Sequence, residues 1–344
     1  MTAAIAAPFP YFGGKSRIAA QVWERMGRDC VNFVDPFAGS CAFLLAAPSH
    51  ITTRTINDAD GYIANFWRAV ASEPDAVAKW LDWPVIEADL FARHVWLLKQ
   101  RETLSDRLHT DPEYYDAKIA GWWCWGACAW LGSGWCSGEG PWSVENGAIV
   151  NIRDGDAGQG VNRKLPHLGN AGKGVNRKLP LLGGAKTGIN RQLPHLGDAG
   201  RARIDWLISY MRRLAAVLRN TRITCGDWAR IVQPSVTTRN GITAVLLDPP
   251  YGVGEMDYSA GNNHNGDVAA EVWRWAIENG ANPLLRIAVC GYEDGRATPP
   301  GWSVMRWKAR KGYQTDTANS HSETVWFSPH CLPERAPMLF EQEA

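Results

Sequence analysis

Strand-like runs that finish on an acid recur along this chain, and that recurrence limits its fold more than any other feature. "VNFVDPFAGSCAFLLAAP" (31–48) reads as a short buried strand ending at Asp35, a glycine turn and an apolar helix. "TRTINDAD" (53–60) reads as a second strand closing on Asp58, followed by the helix "GYIANFWRAV". "ITCGDW" (223–228) and "ITAVLLDPPY" (242–251) supply two more strands, "LLRIAVCGYED" (284–294) another, and "ETVWFS" (323–328) a late one. Strands separated by helices predict an open α/β sheet, and such sheets carry their function at the strand ends.

Between the second strand and the later ones the pattern changes. "IEADLFARHVWLLKQRETLSDRLH" (86–109) has helical spacing of its apolar residues, and "IDWLISYMRRLAAVLRN" (204–220) is another helix. Asp111-Pro112-Glu113 has the cap and first-turn proline of a helix start, and that helix runs into the Trp-rich, glycine-broken stretch 121–142. A mainly helical insertion, 75–220, is thus expected inside a catalytic unit made of 1–74 and 221–335. At 344 residues and 45% hydrophobic content the chain has enough apolar material for this.

The insertion holds an internal repeat with a period of 14 residues, over 160–201. "GVNRKLPHLGNAGK", "GVNRKLPLLGGAKT" and "GINRQLPHLGDAGR" begin at Gly160, Gly174 and Gly188. Glycines and a central proline in each copy argue against a helix. From Ile152 to Arg203 there are ten Lys or Arg against three Asp, so a chain of net charge +1 concentrates +7 here and −6 elsewhere. Such a segment suits a polyanion. The alternative is a solvated loop array without a partner. Arg163, Lys164, Arg177, Lys178 and Arg191 recur in phase and are the candidate phosphate contacts.

No apolar run is long enough for a membrane span and residues 1–10 lack the pattern of a signal peptide, so a cytoplasmic protein is expected. The eight cysteines contain no CxxC pair. Cys124, Cys128 and Cys136 cluster without a nearby His pair, which reads as buried thiols rather than zinc ligands, and no metal is expected. Most of the 18 tryptophans belong to the core. Trp135, between Gly134 and Cys136, is a candidate for the gap left in a duplex by an extruded base, against an equal expectation that it is core.

Three strand ends and one N-terminal loop carry chemistry. In "YFGGKS" (11–16) two glycines open the backbone and Lys15 supplies a cation, which suits a carboxylate, although such a segment also serves as an ordinary loop. "DPFAGS" (35–40) lets backbone approach a ligand at Gly39. Asp58, about 20 residues on, can accept from both hydroxyls of a ribose, unless it or Asp60 merely caps the next helix. In "DPPY" (248–251) two prolines stiffen the turn and free its carbonyls. Asp248 and a main-chain carbonyl can then accept both hydrogens of an aromatic amine, localising its lone pair for attack, while Tyr251 stacks on the ring. The plain alternative is a strand exit with a turn-capping Asp and a core Tyr.

In this order the four motifs resemble the Dam-like, α-type DNA N6-adenine methyltransferases, over about 1–70 and 221–330. The resemblance implies a Rossmann-like class I methyltransferase sheet, an inserted target-recognition domain, S-adenosyl-L-methionine as cofactor and a flipped adenine of double-stranded DNA as substrate, in a bacterial or phage-infected cell. It implies that Tyr11, Phe12, Gly13, Gly14 and Lys15 surround the methionine end of the cofactor. Asp35, Pro36, Phe37 and Gly39 would line it, Asp58 would take the ribose, and Asp227 with Trp228 would stand near its adenine. Asp248, Pro249, Pro250 and Tyr251 would form the catalytic turn. Ser40-Cys41 replaces the family's second glycine, and the Trp-rich 121–142 stands where the family's recognition motifs belong, so the target sequence does not carry over. Cytosine N4, an RNA adenine or a protein glutamine are rival acceptors, and a DNA-binding relative without catalysis is a rival of another class.

If the repeats touch phosphates, deleting residues 174–187 removes Arg177, Lys178 and Lys186 while keeping the outer copies in phase. The slope of log affinity against log salt is expected to become shallower by about one to three, at about 0.9 per lost contact, with sequence preference unchanged. An unchanged slope with an altered preferred site would assign base reading to the repeats instead.

Overall fold

The computed structural model describes residues 5–11, 15–130, 135–136, 142–145, 148–151, 199–250, 265–292, 297–307 and 323–333. Of the repeats, 160–198 lie outside the described residues and 199–201 open a helix; Phe12, Gly13, Gly14 and Tyr251 also lie outside.

Alternation of side chains along each strand builds the centre of the molecule. In chain order the elements are α1 (Ala19–Met26), β1 (Asn32–Asp35), α2 (Ala42–Leu45), β2 (Thr53–Asp58), α3 (Gly61–Ser72), α4 (Pro74–Leu81), α5 (Glu87–Thr110) and α6 (Ala117–Ala129). There follow β3 (Trp142–Glu145), β4 (Ala148–Asn151), α7 (Ala199–Leu218), β5 (Thr221–Cys225), β6 (Thr243–Leu247), α8 (Asn265–Asn279), β7 (Leu285–Tyr292), β8 (Ser303–Trp307) and β9 (Glu323–Phe327). Seven strands form one sheet in the order β5-β2-β1-β6-β7-β9-β8. The first five run parallel, and β9 is antiparallel to both β7 and β8. The hairpin β3–β4 pairs separately.

Successive residues of β6 face opposite ways. Ala244 and Leu246 enter one apolar layer, and Val245 and Leu247 the other. On β7, Ala288 and Cys290 divide from Ile287 and Val289 in the same manner. The second layer is closed by Trp228, Ile231 and Val232 and by Val272, Trp273 and Ala276 of α8. Burial on both faces explains why the central strands read as near-continuous apolar runs.

The first layer is larger, because α3 is itself covered. Phe66 and Trp67 of α3, Leu97 and Leu104 of α5, Ile119 and Trp125 of α6, and Met211 and Leu214 of α7 share one cluster with Phe33 and Ile56 of the sheet. The described helices of the expected insertion are therefore packed into the core of the catalytic unit. Asn65 fastens them: its side-chain amide donates to the Asp116 carbonyl at 2.9 Å, and the Asp116 N–H donates to its side-chain oxygen at 2.7 Å.

Asp111-Pro112-Glu113 does not start a helix, which corrects the expectation. The Asp111 carboxylate accepts from Glu113 N–H, making a turn, and α6 begins six residues later with Asp116 accepting from Ile119 N–H at 2.8 Å. The competing local bond of a turn-forming Asp outweighs the cap-and-proline pattern.

The tryptophan-rich stretch is a packing device. Arg93 presents its guanidinium to the rings of Trp83, Trp122 and Trp125, at 4.9, 4.7 and 4.4 Å from their centroids. Lys118 lies 4.5 and 4.4 Å from the rings of Trp96 and Trp122. Trp135 rests on Gly126, where a Cβ would stand 1.8 Å from its ring. Its indole donates to the Trp123 carbonyl at 2.9 Å, and its ring centroid is 5.2 Å from that of Trp130 and 5.3 Å from that of His94. A ring held on this many sides is a packing residue, a correction to its candidacy for entering a duplex. His94, in the same cluster, is pushed down to about 4 by burial and is neutral. Cys124, Cys128 and Cys136 are buried free thiols.

Candidate active site

Parallel strands bring their last residues to one edge, and this gathers most of the sequence-predicted site. Asp35 ends β1, Asp58 ends β2, Asp227 follows β5 by two residues, and Asp248 follows β6 directly.

Lys15 and Asp248 join distant parts of the chain. Lys15 Nζ donates to both carboxylate oxygens of Asp248, at 2.7 Å each, across a sequence separation of 233. The lysine side chain is 6% exposed and the aspartate 20%. Burial alone would lower the ammonium's pKa; Asp248, with Cys290 and Glu323 adding to it, holds it above the ordinary value. The sequence assigned Lys15 to a cofactor carboxylate and Asp248 to a substrate amine; here each is engaged by the other. Pro249 is buried behind Asp248.

The glycine turn after β1 is locked from three sides. Gly39 has a φ of +46°, and Tyr11 lies against it so closely that a Cβ would come within 2.5 Å of the ring. Gly39 N–H donates to Asp58 Oδ2 at 3.0 Å, and the Trp67 indole donates to the Gly39 carbonyl at 2.9 Å. Cys41, at the place of the family's second glycine, adopts a φ of +55°. Left-handed backbone at a residue with a Cβ costs about 1–2 kcal/mol.

Asp60, not Asp58, caps α3, accepting from Tyr62 N–H at 2.8 Å. Asp58 accepts instead from Gly39 N–H and, through Oδ1, from Asp60 N–H at 2.9 Å. A carboxylate has about four lone-pair positions, so capacity remains for ribose hydroxyls. Asn57, which sequence reasoning missed, ties this edge together. Its amide donates to the carbonyls of Pro36 at 3.1 Å and Gly226 at 2.8 Å. Nothing in a single sequence distinguishes it from any strand-end Asn. Asp227 is exposed and accepts from Ala229 N–H at 2.7 Å, which turns Trp228 inward. The rings of Trp228 and Phe37 are 6.1 Å apart and tilted by 30°, a flat apolar wall beside Asp58 and Asp227.

Glu323, also missed, begins β9 at the same edge. It is buried, and its Oε2 has no hydrogen-bond partner among the described residues. Acids crowd this edge. Burial pushes Asp35 up to about 8, against the Phe37 N–H bond that pulls the other way; Asp248 and Asp58 add repulsion. Burial and then Asp60 push Asp58 up to about 7. Burial pushes Glu323 up to about 7, with Lys15 opposing and Asp248 reinforcing. No group of three His, Cys, Asp or Glu among the described residues is arranged to hold a metal ion.

All three raised carboxyls hold protons in the fold that the unfolded chain, near pKa 4, releases. Stability therefore falls as pH rises through the window from about 4 to about 8. Calorimetry of the protein alone is expected to give a lower Tm at pH 8 than at pH 5.5, with a smaller fall in Asp35→Asn. An equal fall in that variant would contradict the buried proton on Asp35.

Residues 11–118 match the family model for the D12 class N6 adenine-specific DNA methyltransferases, a span that takes in Tyr11, Lys15, the Gly39 turn and Asp58 and ends before Asp227 and Asp248. No curated protein matches the chain.

Proposed function

Within the Dam-like adenine methyltransferase family, which the match over residues 11–118 supports, we propose that this chain is a site-specific DNA adenine N6-methyltransferase using S-adenosyl-L-methionine. One observation carries the reading. The Lys15–Asp248 pair stands at the same sheet edge as the Gly39 turn, the Asp58 carboxylate and the Phe37–Trp228 wall.

The cofactor-side residues fit such a ligand. Asp58 retains acceptor capacity for ribose hydroxyls, Phe37 and Trp228 offer a face to its adenine, and the Gly39 turn with Tyr11 above it forms the floor. The bound cofactor supplies an electrophilic methyl group on a sulfonium. The chain does the positioning. Asp248 and the Pro249 carbonyl accept the two hydrogens of the target amine and draw its lone pair out of the ring, and Tyr251 stacks on an adenine turned out of the duplex. These residues would hold the nitrogen in line with that methyl, whose transfer would leave a neutral thioether and release one amine proton to solvent, with no covalent enzyme intermediate. Catalysis rests on orientation and on negative groups placed where positive charge develops. The basic repeats would follow the phosphates of double-stranded DNA without reading bases.

Two substitutions separate chemistry from cofactor binding. Asp248→Ala is expected to lower methyl transfer on the order of 100-fold or more while binding S-adenosyl-L-methionine by calorimetry, which also shows the variant to be folded. It leaves the buried Lys15 without this partner, so its Tm drops as well. Asp58→Ala is expected to do the reverse and weaken cofactor affinity roughly 10- to 150-fold, the loss of about 1.5–3 kcal/mol of charge-assisted hydrogen bonding. Near-normal turnover in the Asp248 variant would overturn the mechanism.

A further inference from the structure

Glu323 reaches the site by topology. β9 runs against β7, with Glu323 opposite Tyr292, so the first residue of β9 arrives where the parallel strands finish. On its other side it faces Trp307 of β8. It is 4% exposed, and one of its carboxylate oxygens has no hydrogen-bond partner among the described residues. Buried carboxylate oxygens are almost always paired, and one left open in the native fold points to a partner that arrives later.

The charged and titratable groups that act on Glu323 are the Lys15 ammonium, the Asp248 carboxylate and, across the strand pair, the Tyr292 phenol. Cys290 on β7 lies in the same field, influenced by Lys15, Asp248 and Glu323 together. Both carboxylates attract the Lys15 ammonium, Asp248 by direct contact and Glu323 through space. In the structure Lys15 gives hydrogen bonds to both oxygens of Asp248. An Asp248 engaged in this way is a weakened acceptor for an amine.

We propose that Glu323 is a positioning residue: its carboxylate takes over the Lys15 ammonium when the target amine engages Asp248. The exchange frees Asp248 oxygens towards the amine and keeps the buried lysine partnered throughout. It makes and breaks hydrogen bonds only, apart from the proton that Glu323 releases to solvent when it ionises. Since that carboxyl is held up to about 7, the competent form gains population as pH rises through neutrality. Glu323 touches neither substrate nor cofactor in this scheme and acts through Lys15.

The inference rests on the methyltransferase reading above, and the test separates the two. Wild-type methyl transfer to DNA is measured first, and its absence with every DNA tried overturns both. With an active wild type, kcat is expected to rise between pH 6 and 8 through a limb near 7. Glu323→Gln, similar in shape, is expected to lose this limb and to have kcat at pH 8 lower on the order of tenfold to a hundredfold, with KM for DNA and cofactor affinity nearly unchanged. Glu323→Asp is expected to keep the limb and recover part of the rate. A Gln variant with wild-type kcat and an unchanged pH profile overturns the inference and leaves the methyltransferase reading standing. If the Gln variant does not fold, the Asp variant decides, and a wild-type kcat in it overturns the inference.

Discussion

The ammonium of Lys15 and the carboxylate of Asp248 are 2.7 Å apart, and most of the site is arranged around that contact. The pair draws the N-terminal segment across the sheet edge onto the turn after β6. The same segment carries Tyr11 over Gly39, and Gly39 is bonded to Asp58. Four segments distant in sequence are thus held by one ion pair and two contacts at Gly39. Buried pairs seldom add net stability, since desolvation offsets most of the attraction, but removing one partner costs about 3–5 kcal/mol. What the pair provides is a fixed position for the acid to which the proposed chemistry is assigned.

The acids nearby obey the same constraint. Asp35 and Glu323 are buried and lie in the field of the Asp248 carboxylate, and Asp58 adds to the repulsion on Asp35. Burial, reinforced by neighbouring acids, raises the proton affinity of Asp35, Asp58 and Glu323.

Much of this was legible in the residues. β1, β2, β6 and β7 announce themselves as apolar runs because both sheet faces are covered. The acids at their ends mark one edge because parallel strands end together. Other features were not legible. β8 has the mixed exposure of an edge strand and no apolar run to show it. Glu323 reads as an ordinary strand start until β9 is known to run antiparallel, which no local pattern encodes. Trp135 looked like a loop residue because its neighbours are glycine and cysteine; Gly126, nine residues earlier, is what receives its ring. The cap falls at Asp116 rather than Asp111 because Asp111 closes a turn on Glu113 N–H, and Asn65 on α3 also holds the Asp116 backbone, a tertiary contact that propensity does not see.

The account's central claim is that Asp248 and its turn orient the N6 amine of adenine in DNA. The most direct measurement incubates the wild-type protein with double-stranded DNA and S-adenosyl-L-methionine carrying a labelled methyl group, digests the DNA to nucleosides and identifies the labelled one by mass. The account predicts that the label is found on N6-methyladenine. Label on N4-methylcytosine alone, or no label in DNA under conditions where the protein binds the cofactor, would contradict it.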